Sequence, residues 1–166
     1  MYLIDKAFIR DPKHYLLQSL LAVVVIMVIF YFEALPHIVI ATSLGGSAFI
    51  VFTMPRSATA QPRRLIGGHI VGLISGALLY YIFFAGPLGE LSTDWRLITV
   101  LAYALAVGLC IFLMTITNTE HTPAVATALG IVSDGWSYQI VISVLLFAVI
   151  LAIARRLLRH RLKDLA

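Results

Sequence analysis

NTEHTPAVATALG, residues 118–130, lies between two strongly apolar stretches and sets a glutamate, a histidine and a proline within four positions. The whole chain is 61% hydrophobic and only 12% charged over 166 residues, too little polar surface for a soluble domain. It reads as an integral membrane protein. Ionisable groups at membrane depth are costly, so Glu120 and His121 need a reason to be there.

A membrane-spanning helix needs roughly 20 apolar residues, with about 17 as a lower bound. Four stretches reach that length: Leu16 to Phe32, Leu65 to Ala85, Leu97 to Ile116 and Ser137 to Ala154. Two fall short: HIVIATSLGGSAFIVF (37–52), interrupted by Gly45 and Gly46, and TPAVATALGIV (122–132). Each short segment sits between two long ones, on either side of the polar break GPLGELSTDWR (86–96). The pattern predicts an all-α membrane fold in a single transmembrane domain over 1–166, with three-segment repeats at 15–86 and 95–155. Three crossings per half is odd, so the second repeat is expected to be inverted.

Charge placement favours six crossings over four. With six and a cytoplasmic N-terminus, Lys6, Arg10, Lys13, Arg56, Arg63, Arg64, Arg155, Arg156, Arg159, Arg161 and Lys163 share the cytoplasmic side, and Arg96 alone faces out. Four crossings would move Arg56, Arg63 and Arg64 outside. Aromatic residues including Tyr80, Tyr81, Phe84, Trp95, Trp136 and Tyr138 fall near the outer boundary. The expected location is the cell inner (plasma) membrane, multi-pass, with both termini cytoplasmic. At the N-terminus, Leu3, Ile4, Ala7 and Phe8 form one face of a short interfacial helix.

A short segment can cross about 30 Å if part of it is extended, because an extended residue advances about 3.3 Å against 1.5 Å in a helix. PHIVIAT (36–42) suits an extended approach, with Ser43 as helix N-cap and Gly45 and Gly46 opening the first turn to a ligand. TNTEH repeats the plan, with Thr122 as N-cap and Pro123 as first helical residue. Two such half-helix N-termini meeting near the midplane would form a site for a small anion. The candidate binding residues are Ser43, Gly45, Gly46, Ser47, His69, Glu120, His121, Thr122, Pro123 and Ala124.

EHTPAVATAL resembles the motif that gives the HPP family of small integral membrane proteins its name, and SLGGSAFIVF, AQPRRLIGGH and GLISGALL resemble that family's other segments in the same order. The likeness covers Thr42 to Val132. His121-Thr122-Pro123 stands where the name implies His-Pro-Pro. Members in chloroplasts and cyanobacteria are associated with nitrite transport, so the resemblance implies a small monovalent anion as substrate. The family is usually described with four spans, from which a six-crossing reading departs.

His121 can donate to a bound anion or carry its proton, against the simpler reading of a neutral histidine in a polar cavity. Glu120 beside a helix start serves either coupling or capping, and His69 lines the anion path or packs. Gly68, Gly72 and Gly76 make one small-residue face for close helix packing, within the chain or in a homo-oligomer. Arg63 and Arg64 read as interfacial anchors. Cys110, the single cysteine, reads as core filler and excludes an intrachain disulfide. No metal-ligand spacing, nucleophile motif or phosphate loop is present, so neither an enzyme nor a cofactor is expected. Nucleic acid is not expected as a partner; membrane lipid and the anion are. The rival reading is a non-transporting membrane scaffold.

Overall fold

The computed structural model describes residues 6–32, 38–86, 88–90 and 95–165. Leu3, Ile4, Pro36 and His37 lie outside them. The described elements are helical: α1 (Lys6–Arg10), α2 (Pro12–Phe32), α3 (Ile38–Thr53), a 3-10 turn (Ala58–Ala60), α4 (Pro62–Phe83), α5 (Arg96–Thr117), α6 (Pro123–Asp134) and α7 (Tyr138–Leu158). The four long apolar runs became α2, α4, α5 and α7, and the two short ones α3 and α6. By length and composition α4, α5 and α7 are each able to cross a membrane.

Helix direction follows from which ends touch. Gln18 near the start of α2 donates to Phe52 O at the end of α3, and Leu165 N donates to Thr53 O at 2.8 Å. Arg155 late in α7 donates to Pro55 O at 2.7 Å, while Arg63 at the start of α4 donates to Thr117 O at the end of α5 at 3.4 Å. His121, entering α6, reaches Thr59 O at 2.9 Å. These ends share one face of the bundle with most of the arginines. At the opposite face Phe84 stacks on Tyr103 and Tyr81 lies against Trp136, with ring centroids 6.1 and 6.4 Å apart. The helices from α2 to α7 therefore alternate in direction, with a basic end and an aromatic end.

The main core joins α3, α4, α6 and α7 through Ile40, Leu44, Val51, Leu73, Ile131, Val144, Phe147 and Leu151, all buried. The glycine face of α4 is the seam on which α6 lies. A Cβ at Gly72 would stand 2.5 Å from Ala124 O, and one at Gly76 would stand 2.6 Å from Ala128 O. Only glycine allows that approach. The seam is thus internal to the chain.

One expectation fails here. Ile38–Thr42 is not an extended approach: α3 is already helical from Ile38, and no strand occurs among the described residues. β-branched residues cost only a few tenths of a kcal/mol each in a helix. Leaving amides unpaired in an apolar setting costs several, so the helix, which satisfies them internally, wins. Ile40, fully buried and packed where α6 presents Gly130, adds its own burial to that preference.

Candidate functional site

Where α3, α4 and the entry to α6 converge, polar side chains meet in the apolar bundle. Ser43 and Ser47, four residues apart, present hydroxyls from one face of α3. His69 comes from α4, behind the glycine seam, and Thr127 from the second turn of α6. His121 hangs from the non-helical link before α6. Ser47, His69, His121 and Thr127 are 0% exposed and Ser43 1%.

They form one chain of hydrogen bonds. His121 Nδ1 lies 2.9 Å from Thr59 O and Nε2 2.9 Å from Ser47 Oγ. Ser47 Oγ is also 2.9 Å from His69 Nε2, and the two rings stand 5.2 Å apart. His69 Nδ1 meets Thr127 Oγ1 at 2.9 Å, which meets Ser43 Oγ at 2.8 Å. Ser43 Oγ ends the chain by donating to Pro123 O at 2.5 Å. Because a carbonyl only accepts, the contact with Thr59 O requires a proton on His121 Nδ1. Burying these groups is tolerable only because each finds partners.

The link into α6 is pinned from the basic end. Asn118, in the left-handed conformation at φ 55°, closes α5, and Thr119 N reaches back to Met114 O at 3.0 Å. Arg64 donates to Asn118 Oδ1 at 2.6 Å and pairs with Glu120 at 3.0 Å. Pro123 then starts α6 as its composition implied.

The structure brings together Ser43, Ser47, His69 and His121 from the sequence candidates, and separates the rest. Ser43 is not an N-cap: it lies in the second turn of α3, whose ladder already engages the amides of Gly45 and Gly46. Gly45 lines a largely apolar groove of about 310 Å³ between α2 and α3, and Gly46 packs on the Pro123 ring. Thr122 makes no side-chain cap, and the amides of Ala124 and Val125 are taken by His121 O and Thr122 O at 2.9 and 3.1 Å. Ala124 is buried in the seam, and Glu120 faces the basic end with Arg64. Nor do two helix N-termini oppose each other. α3 and α6 run antiparallel, so the start of α3 lies beside Gly130 late in α6, and Pro123 lies beside the middle of α3. The cradle of free amides is replaced by hydroxyls and imidazoles.

Two members went unforeseen. Thr127 is one turn beyond Pro123, a spacing that places it on the same helix face and could have flagged it. The Thr59 carbonyl is backbone in a 3-10 turn and leaves no side-chain signal.

Comparison with known families matches residues 9–164 to the transmembrane region of the HPP family. Two transmembrane proteins of Dictyostelium discoideum are similar, one 37% identical over 68% of this chain and the other 38% identical over 52%. The chain spans 37% of the length of the first and 25% of the second. No solved structure matches. The aligned region takes in the glycine seam, both histidines and the pinned link, and this membrane chain belongs to the HPP family.

Proposed function

We propose that the chain transports a small inorganic anion across the membrane, nitrite by the resemblance of its motifs, with the buried hydroxyl–imidazole cluster as the binding locus. All six helices from α2 to α7 cross, as inverted repeats 15–86 and 95–155, with the basic end cytoplasmic at the inner membrane. The observation that carries the reading is Ser47 Oγ held 2.9 Å from the Nε2 atoms of both His69 and His121. An anion oxygen taking that hydroxyl's position would be within donor reach of two imidazoles inside the bundle. Arg63 at the basic end donates to the Thr117 carbonyl, keeps its positive charge and favours anion approach.

The test is uptake of labelled nitrite into proteoliposomes, with protein-free vesicles controlling for undissociated nitrous acid and with chloride and nitrate as competitors. Expected are uptake well above the vesicle leak and at least a tenfold loss in folded His69→Gln and His121→Gln. Uptake equal to the leak removes the reading. For topology, Ala58→Cys and Ser133→Cys in a Cys110→Ala background should label from opposite sides with an impermeant thiol reagent. Labelling from one side excludes this crossing pattern.

A further inference from the structure

The cluster holds one proton fewer than its contacts need. Six short contacts run from Thr59 O through His121, Ser47, His69, Thr127 and Ser43 to Pro123 O, at 2.5 to 2.9 Å. Each contact needs one proton between its two atoms, or lone pair faces lone pair. Both ends are carbonyls and contribute none. With neutral imidazoles, the three hydroxyls and two rings supply five protons for six contacts. One contact is always empty. The Ser43 carbonyl, 3.1 Å from Ser47 Oγ, is a further acceptor and cannot supply the missing proton.

We propose that this cluster is a binding site for one proton, shared by His69 and His121 across Ser47, and that this proton is the co-substrate of transport. A single added proton fills the sixth contact. His121 then donates from Nδ1 to Thr59 O and from Nε2 to Ser47, which donates onward to His69 Nε2; His69 donates to Thr127, Thr127 to Ser43, and Ser43 to Pro123 O. Shifting each hydrogen across its own contact moves the excess charge from His121 to His69 without any heavy atom moving far. A second proton would find no contact to fill and would place two cations about 5 Å apart, so the pair takes one. An anion oxygen at the Ser47 position would accept from both Nε2 atoms, and His121, already committed to Thr59 through Nδ1, can donate there only as imidazolium. The anion therefore arrives with its proton.

Other charges leave this assignment standing. From α4, Arg63 is spent on Thr117 O and Arg64 on Asn118 and on Glu120 of the link. From α5 the buried thiol of Cys110 faces Ala124 O. Beside the pair, α3 and α6 present hydroxyls, with Asp134 at the far end of α6; Arg155 of α7 is bonded to Pro55 O at the basic end. No carboxylate among the described residues pairs with either imidazole.

The inference uses the transport reading only for the proton's destination, and the two fail separately. The experiment is 15N NMR of the full chain with labelled histidine in lipid bilayers, without substrate, the signals assigned by His69→Gln and His121→Gln. On acidification, the two rings should change together and bind one proton in total. Ser43→Ala and Thr127→Val each leave four contacts for four protons, so each should lower the pair's proton affinity about tenfold although neither removes a group bonded to His121. Thr127→Val, close to isosteric, serves if Ser43→Ala does not fold. The proposal is overturned if both variants titrate like the wild type, if two protons bind independently, or if both rings stay neutral down to pH 4 in folded protein. Nitrite uptake without the shared proton would remove the proton site alone. A shared proton without uptake would remove the transport reading alone.

Discussion

The two short helices occupy the same place in the long–short–long order and are built differently. α3 runs 16 residues and carries its two cluster hydroxyls, Ser43 and Ser47, within the helix. α6 runs 12, entered through the non-helical residues 119–122, and its imidazole precedes the first turn. α6 lies in the glycine seam of α4, whereas one face of α3 borders the groove toward α2. At the basic end Arg64 pins the start of α6, and the C-terminal tail clasps the end of α3. Equal position in the long–short–long order does not imply equal construction: the helix seated on the glycine seam fixes His121, and the helix bordering the groove offers it a partner in Ser47.

The largest expected effect tests that difference directly. Gly72→Val sets a branched side chain against Ala124 O, a backbone atom that moves only if α6 moves, so the cost should exceed the roughly 1 to 3 kcal/mol usual for overpacking. A Cβ at Gly45 would meet no neighbouring element within 4 Å, so the stability of Gly45→Val should change by less than about 1 kcal/mol. Thermal unfolding in detergent and recovery of monodisperse protein read both. Equal losses would mean that α3 is seated as tightly as α6.

That contrast also shows where sequence reading reached its limit. The start of α6 was legible because Pro123 lacks an N–H and fits only the first turn, and a polar link preceded it. The start of α3 was not: Ile38, Val39, Ile40 and Thr42 suit a strand by propensity, but burial and the need to pair amides outweigh preferences of a few tenths of a kcal/mol. Ser47, His69 and His121 stood out as polar groups in apolar runs. Thr127 did not, since a threonine in a helix commonly bonds its own preceding carbonyl and needs no partner elsewhere. That the histidines and serines form a single chain was invisible, because it depends on α3 being helical through Ser43 and running antiparallel to α6.

A middle-sized effect is expected at the basic end. Arg64→Gln releases both Asn118 and Glu120, but the pair is partly solvated, with the arginine side chain 24% and the glutamate 42% exposed. The stability change should stay below about 1 kcal/mol, the range of surface ion pairs. On the proposed transport reading, nitrite uptake should fall in protein that stays folded, because the link that positions His121 loses its outer support. A stability loss matching that of Gly72→Val would show that the pin, and not the seam, seats α6.

The smallest expected effect concerns the clasp on α3. Lys163 donates to Asp11 at 2.8 Å and its backbone N–H donates to Gln18 Oε1 at 2.9 Å, while Gln18 also holds Phe52 O, so the tail, α2 and the end of α3 form one unit. Hydrogen bonds from Lys163 and then His14 hold the Asp11 carboxyl at about 2, below its ordinary 3.8. A depressed folded value means that the unfolded chain takes up the proton first as pH falls. The clasp's contribution is therefore fully present above about 3.8 and is lost as pH drops through about 2. The Asp11 titration thus lies well below the range in which the histidine cluster is tested. Carboxyl 13C shifts of Asp11 should give the low midpoint, and Lys163→Gln should move it toward the ordinary value without disturbing the His69 and His121 signals. A change in the histidine signals on Lys163→Gln would show that the clasp reaches the site through α3, and the two helices would then be coupled rather than independently held.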